Sequence, residues 1–183
     1  MSYREILDNA DAHFHEVARK QPQHLQCNGC SLCCYGLFEI GSADIAVLAE
    51  GLSQLHPARR KRIIRRAVEI VASSQHPNLR ETARTEKDRF FHRTASTRCP
   101  NLNDEGRCLV YEHRPLICRT FGVPLREGDQ YLGDVCDLNF TNATDDEKLA
   151  AAWNLLCEDE LGPEDEYTIP EAIVAIARMR GWL

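Results

Sequence analysis

Residues 27–34 read Cys27-Asn28-Gly29-Cys30-Ser31-Leu32-Cys33-Cys34. Two residues between cysteines let both thiolates reach one metal ion from a single tight loop. Cys27 with Cys30 and Cys30 with Cys33 both have that spacing, and Gly29 gives the backbone freedom to turn. Three cysteines at this interval also match the ligand run that holds iron–sulfur clusters in small ferredoxins. Cys34 does not fit one tetrahedral ion, because adjacent side chains diverge. It points to a second metal, a bridging thiolate or an uncoordinated thiol. A run this short and crowded predicts an irregular loop, so the rest of the fold must be built around it.

Further ligands have to come from downstream, and Cys99, Cys108, Cys118 and Cys136 supply them. Cys99-Pro100-Asn101-Leu102 and Arg107-Cys108-Leu109-Val110-Tyr111 flank the turn Asn103-Asp104-Glu105-Gly106, which predicts a small β-hairpin carrying two cysteines. Cys118 is the best placed of the four, in a loop rich in Pro and Arg. Cys136 has the weakest context. Cys157 lies one helical turn after Trp153 on an apolar face, which predicts core packing. Nine cysteines in a 183-residue chain with no apolar h-region at its start fit a reducing cytoplasmic setting. There, dense thiols signal metal or catalysis rather than disulfides.

Outside the cysteines the chain reads as helices. Tyr3–Gln21 places Ile6, Leu7, Ala10, Phe14 and Val17 on one side, and Pro22 ends the helix. Residues 36–41 predict a short strand. Ser42, as N-cap, opens a helix with Ile45, Leu48, Leu52 and Leu55 at helical spacing. Pro57 to Ser74 predicts another, with Ile63, Ile64, Ala67, Val68 and Val71 as its stripe and arginines elsewhere. Residues 80–98 show no clean period and read as a flexible or partner-facing stretch. Two C-terminal helices over 144–182 open with capping boxes, Thr144/Glu147 and Thr168/Glu171. The first would bury Leu149, Trp153 and Leu156, the second Ile173, Ile176 and Ala177. The expected fold is mainly α with a small β-hairpin, its irregular cysteine-rich, metal-clamped loops packed against helices. A single domain over 1–183 is expected. Its metal-binding region is about 27–136, flanked by the helix at 3–21 and those at 144–182.

Net charge is −6 but unevenly placed: residues 57–98 hold 12 Lys/Arg against 4 Asp/Glu, and residues 127–171 hold 14 Asp/Glu against one Lys. The basic segment is a candidate surface for a protein partner. Nucleic acid is the weaker reading, because the chain is acidic overall and its only basic–aromatic group is Arg89-Phe90-Phe91-His92-Arg93. The bland alternative is a solvated basic helix paired with the acidic segment. No run of some 18 apolar residues exists, so no membrane span is expected. P-loop, GxGxxG, HExxH and Gly-x-Ser-x-Gly motifs are absent, as is a recognisable S-adenosylmethionine site. Arg114 and Arg119 flank Cys118 and could offset the negative charge of a thiolate-bound centre, as cofactor-binding residues. Tyr111 reads as hairpin packing. His113 and His24 read as solvated loop histidines, with metal ligand or proton carrier as the alternative, and His92 has no supporting context.

The motif Cys27-x-x-Cys30-x-x-Cys33-Cys34 resembles the signature of the CxxCxxCC cysteine-cluster family, a zinc- or iron-chelating domain. The second half also fits: Cys99-Pro100, Cys108-x-Val110-Tyr111 and Arg114-Pro115-x-x-Cys118-Arg119-x-Phe121-Gly122. The likeness covers about residues 27–136. It implies a metal-chelating domain. Flagellin lysine methylases resemble the family in their cysteine motif, which implies an iron–sulfur-dependent protein-modifying enzyme as an alternative, with a redox enzyme built on such a centre beside it. The cofactor is an iron–sulfur cluster or zinc, with iron–sulfur favoured by the repeated two-residue spacing and by Cys99-Pro100.

Overall fold

The structure, a computed structural model, describes residues 2–27, 30–79, 81–133, 136–157 and 167–183, without the side chain of Cys157. The readings of Gly29 as a turn residue and of Cys157 as a core side chain therefore lie outside the described residues. The fold is mainly helical with small two- and three-stranded sheets. Contacts group the chain into two compact units, Met1–Cys33 with Leu116–Pro163 and Cys34–Pro115 with Glu164–Leu183.

The first unit begins with α1, Tyr3–Lys20, opened by a capping box in which Glu5 N–H donates to Ser2 Oγ (3.3 Å) and Ser2 N–H to the Glu5 carboxylate (2.6 Å). Pro22 disfavours helical backbone at Gln21, which leaves the helix at φ −132°. Ile6, Leu7, Ala10 and Val17 are buried as the periodicity predicts, whereas Phe14 is half-buried. A short helix α5, Leu116–Thr120, follows Pro115 and packs on α1, where the Arg119 guanidinium pairs with Asp11. Strands β2 (Leu125–Glu127) and β3 (Gln130–Gly133) form an antiparallel hairpin, and β4 (Trp153–Asn154) pairs parallel to β2. Gly128, at φ +57°, takes the first position of the two-residue turn, where a type II′ hairpin needs a residue free of Cβ strain. Helix α6 covers only Asp145–Ala151, with the Thr144/Glu147 box in place. The expected stripe Leu149, Trp153, Leu156 does not form, because the helix ends before Trp153. Trp153 is buried from β4, and Leu149 and Leu156 are exposed. Sheet pairing to β2 overrides the helical pattern there.

The second unit contains β1 (Glu39–Ile40), α2 (Ser42–Gln54), α3 (Pro57–Ser73), α4 (Arg84–Arg93), β5 (Tyr167–Thr168) and α7 (Ile169–Met179). β1 and β5 pair antiparallel, Glu39 opposite Thr168. Helix α7 packs on α2 and α3, and Leu48, Leu52, Ile63, Ala67, Ile173, Ile176 and Ala177 are all buried to within 1%. Burying each of these leucines or isoleucines contributes about 1.5–3 kcal/mol. The N-cap of α2 is Gly41 rather than Ser42, with Gly41 N–H donating to Asp44 (3.3 Å). The stretch 80–98, expected to lack regular structure, carries α4. Its Phe90 is fully buried and packs with Leu37 and Leu79, and Phe91 packs against the same cluster, so two adjacent aromatics anchor a helix whose other positions are polar. The predicted hairpin around residues 103–106 is a tight turn with one bridge, Leu102 to Cys108, closed by Asn103 N–H to Arg107 O (2.9 Å).

Candidate metal centre

The two units divide the cysteines. Cys27, Cys30, Cys33, Cys118 and Cys136 belong to the first, and Cys34, Cys99 and Cys108 to the second. None of these eight is joined in a disulfide.

In the first unit the loop carrying Cys27 is tied to the segment carrying Cys136. Asn139 N–H donates to Cys136 O (3.1 Å), which closes a turn over 136–139. Phe140 N–H then donates to His24 O (2.9 Å), and Gln26 N–H to Asn139 Oδ1 (2.9 Å). Asn139 is 97% buried, and its amide Nδ2 reaches both Gly122 O (2.7 Å) and Cys27 Sγ (3.1 Å). One side chain thus fixes the backbone before Cys27, the loop after α5 and the Cys27 sulfur. The next residue, Phe140, sits at φ +57°, a costly conformation for a bulky side chain. It is held there by its own burial and by the His24 ring stacked on it at 5.7 Å. Gly122 lies so close that a Cβ would stand 2.9 Å from Cys27 Sγ and 2.7 Å from the Phe14 ring. Residue Cys27 is exposed, but its sulfur is covered on this side.

Burial against these groups pushes the Cys27 thiol pKa upward. The Asn139 N–H opposes the rise, and the thiols of Cys136, Cys33 and Cys30 add to it. The sulfurs of Cys136, Cys33 and Cys30 are therefore close enough to Cys27 for their charge to matter to its thiol. A cation among them would reverse the sign of that effect, since metal binding deprotonates coordinating thiols. The donor set, soft and thiol-only, suits zinc or an iron–sulfur cluster. Among the described residues no three His, Cys, Asp or Glu side chains are gathered tightly enough to hold an ion as they stand. Sites of this kind commonly close around their metal.

Cys118 is half-buried in α5. Its neighbour Arg119 is 95% buried and ion-paired with Asp11. His24, expected as a solvated loop residue, is covered by Phe140 and lies 3.4 Å from the Glu147 carboxylate.

In the second unit Cys99 N–H donates to Cys34 O (2.8 Å), next to the Tyr35–Arg98 bridge. Leu102 N–H returns to Cys99 O (3.1 Å), and Leu102 bridges Cys108. The backbones of three cysteines far apart in sequence are thereby held in one small ladder. Arg114 stacks its guanidinium 3.9 Å from the centre of the Tyr111 ring, and that ring is exposed rather than packed into the hairpin. His113, also expected in solvent, is mostly covered by Gly51 and points Nε2 toward Gln54 (3.3 Å) and Glu50 (3.6 Å).

Sequence reasoning proposed the cysteines and did not single out Asn139. Its only signal was an Asn three residues after a candidate ligand, the spacing at which a turn can return a side chain. Gly122 belonged to the family-like motif, but its reason, close approach to Cys27 Sγ, is visible only in three dimensions.

No curated protein and no solved structure matches the chain. The family CxxCxxCC, described as a "putative zinc- or iron-chelating domain", matches residues 26–137, more than half of the 183. The match begins one residue before Cys27 and ends one residue after Cys136, so it takes in all eight cysteines placed above. The chain belongs to the CxxCxxCC family.

Proposed function

We propose that the protein is a metal-binding protein whose first unit holds a four-thiolate centre, with Cys27, Cys30, Cys33 and Cys136 as ligands. The observation that carries this reading is the cross-tie at Asn139. It joins the Cys27 loop to the turn opened by Cys136 and places an N–H on the Cys27 sulfur. Four thiolates are what a closed zinc site or a cubane cluster requires. We favour an iron–sulfur cluster over zinc, on the repeated two-residue spacing of Cys27, Cys30 and Cys33. Cys118 is the reserve ligand of the same unit. Cys34, Cys99 and Cys108 form the second group, and Arg114 and Arg119 would offset thiolate charge, Arg119 only in part because Asp11 already pairs with it. The cysteine density suits a reducing compartment, and we place the protein in the cytosol on that ground.

The test is cysteine replacement with metal analysis. Cys27→Ser, Cys33→Ser and Cys136→Ser should each remove the same metal from anaerobically prepared protein, while Cys108→Ser should leave that portion in place. Full retention of metal in Cys136→Ser would show that the first-unit ligand set is wrong.

A further inference from the structure

Three guanidiniums of the second unit converge on one carboxylate. Arg62 and Arg66 stand one turn apart on α3, and Arg98 comes from the segment bridged to Tyr35. Asp104, in the turn after Leu102, lies 3.4 Å from Arg62 Nη1, 3.0 Å from Arg66 Nη2 and 3.8 Å from Arg98 Nη1. The turn's backbone takes two more donors, Leu102 O from Arg66 (2.9 Å) and Asn103 O from Arg98. These acceptors do not use up the donor set. Each guanidinium offers about five N–H groups and one full charge. The Nε–H groups of Arg62 and Arg98 are buried with no acceptor among the described residues. In charge the cluster is +3 against the −1 of Asp104, a surplus equal to one dianion.

The surroundings add to that surplus. A cavity of about 400 Å³ beside Arg62 is lined by Arg59, Asn103 and Glu105, and Arg107 is exposed on the same turn. A second cavity, of about 300 Å³, is lined by Arg66, Arg98, Glu69 and Cys99. Glu69, 3.8 Å from Arg65, lines the second cavity and Glu105 the first, so each cavity carries one acid that opposes an incoming anion. Asp104 is 62% exposed at its side chain, so the point where the three guanidiniums meet is open to solvent.

We propose that Arg62, Arg66 and Arg98 form a binding site for a phosphate monoester, with Asp104 as the internal occupant that the ligand displaces or joins. A phosphate monoester carries close to two negative charges near neutral pH. Its three terminal oxygens suit planar guanidinium forks, which a single carboxylate engages less fully. The cavity beside Arg62 has the size that a phosphate with a small attached group needs. The monoester could be a free metabolite or a phosphorylated side chain, and the recognition chemistry is the same. None of the three arginines is a candidate metal ligand, and the cavity beside Arg62 has no cysteine in its lining.

The experiment is a titration of the full chain with phenyl phosphate, inorganic phosphate and a phosphoserine peptide at constant ionic strength. The readout is the Nε–Hε resonances of Arg62 and Arg98. Saturable shifts are expected for phenyl phosphate. Arg66→Gln and Arg98→Gln should each weaken it about tenfold, the usual scale for one charge-assisted contact. Asp104→Asn should tighten it, because the internal competitor loses its charge. A merely structural ion cluster predicts the opposite, a less stable protein with no gain in binding. Peptide binding tighter than phenyl phosphate identifies a phosphoprotein ligand, and the reverse a metabolite. The proposal fails if neither wild type nor a folded Asp104→Asn shows saturation below roughly 20 mM. It also fails if dimethyl phosphate, a singly charged diester, binds as tightly as the monoester.

Discussion

Replacing Asn139 tests whether one buried amide organises the first-unit site. Asn139→Ala removes three hydrogen bonds, to Gln26 N–H (2.9 Å), Gly122 O (2.7 Å) and Cys27 Sγ (3.1 Å). Each such bond contributes about 0.5–1.5 kcal/mol net, and orphaning a buried partner raises the cost. The loss should total about 2–4 kcal/mol, or some 5–15 °C in Tm for a chain of this length. Metal retention should fall as well, by about 10–100-fold in affinity, the usual scale for groups that orient a ligand. Asn139→Asp separates the two effects. It keeps the acceptor for Gln26 but faces a carboxylate to Gly122 O and to the Cys27 sulfur, so it should hold metal less well than the alanine variant. The assays are thermal unfolding of apo protein and competition for metal with a graded chelator series. A Tm within about 2 °C of wild type, a smaller change than one lost buried hydrogen bond gives, with unchanged metal affinity would refute the positioning role.

Other residues give independent checks. Gly122→Ala drives a Cβ to 2.7 Å from Phe14 and 2.9 Å from Cys27 Sγ. It should cost about 1–3 kcal/mol by overpacking, and a Tm equal to wild type would contradict the close approach. Gln75 is exposed just past the end of α3 at φ +46°, where glycine is at ease. Gln75→Gly should therefore gain about 0.5–1 kcal/mol in denaturant titration, and a loss would speak against the left-handed backbone. Glu171 is partly buried, which alone would raise its pKa. The bonds from His76 and Thr168 outweigh that and hold it below the ordinary 4.5. A depressed carboxylate stabilises the fold above the unfolded value and loses that contribution as pH falls through the folded one. Wild type should thus lose stability as pH falls below about 4.5, and Glu171→Gln should lack that portion of the decline. Parallel Tm–pH curves for the two proteins would sink this assignment.

Much of the helical frame was legible because apolar periodicity and caps point the same way. The boxes at Ser2/Glu5, Thr144/Glu147 and Thr168/Glu171 all form, two of them anticipated from the sequence. Where local and tertiary signals part, the reading went wrong. Trp153 fits a helical stripe but is used in a parallel pairing to Leu125, a partner 28 positions earlier that no local pattern announces. Helix α4 is polar apart from Phe90 and Phe91, and two adjacent apolar residues set no helical period. The hairpin at 125–133 was readable in principle, since Gly128-Asp129 between extended residues is a turn signal. The cysteines of the candidate centre were proposed from chemistry and spacing. Their division between units, the Asn139 cross-tie and the Arg62–Arg66–Arg98 cluster depend on contacts between distant segments, which spacing does not encode.

The most direct test of the account is metal and acid-labile sulfide analysis of anaerobically purified protein, read with its visible spectrum. The account predicts brown protein with broad absorption near ~400 nm, iron and sulfide in equal amounts, and loss of both in Cys27→Ser and Cys136→Ser. Colourless protein carrying stoichiometric zinc would replace the cluster by a closed zinc site. Protein that retains neither metal after purification or reconstitution would contradict the central claim.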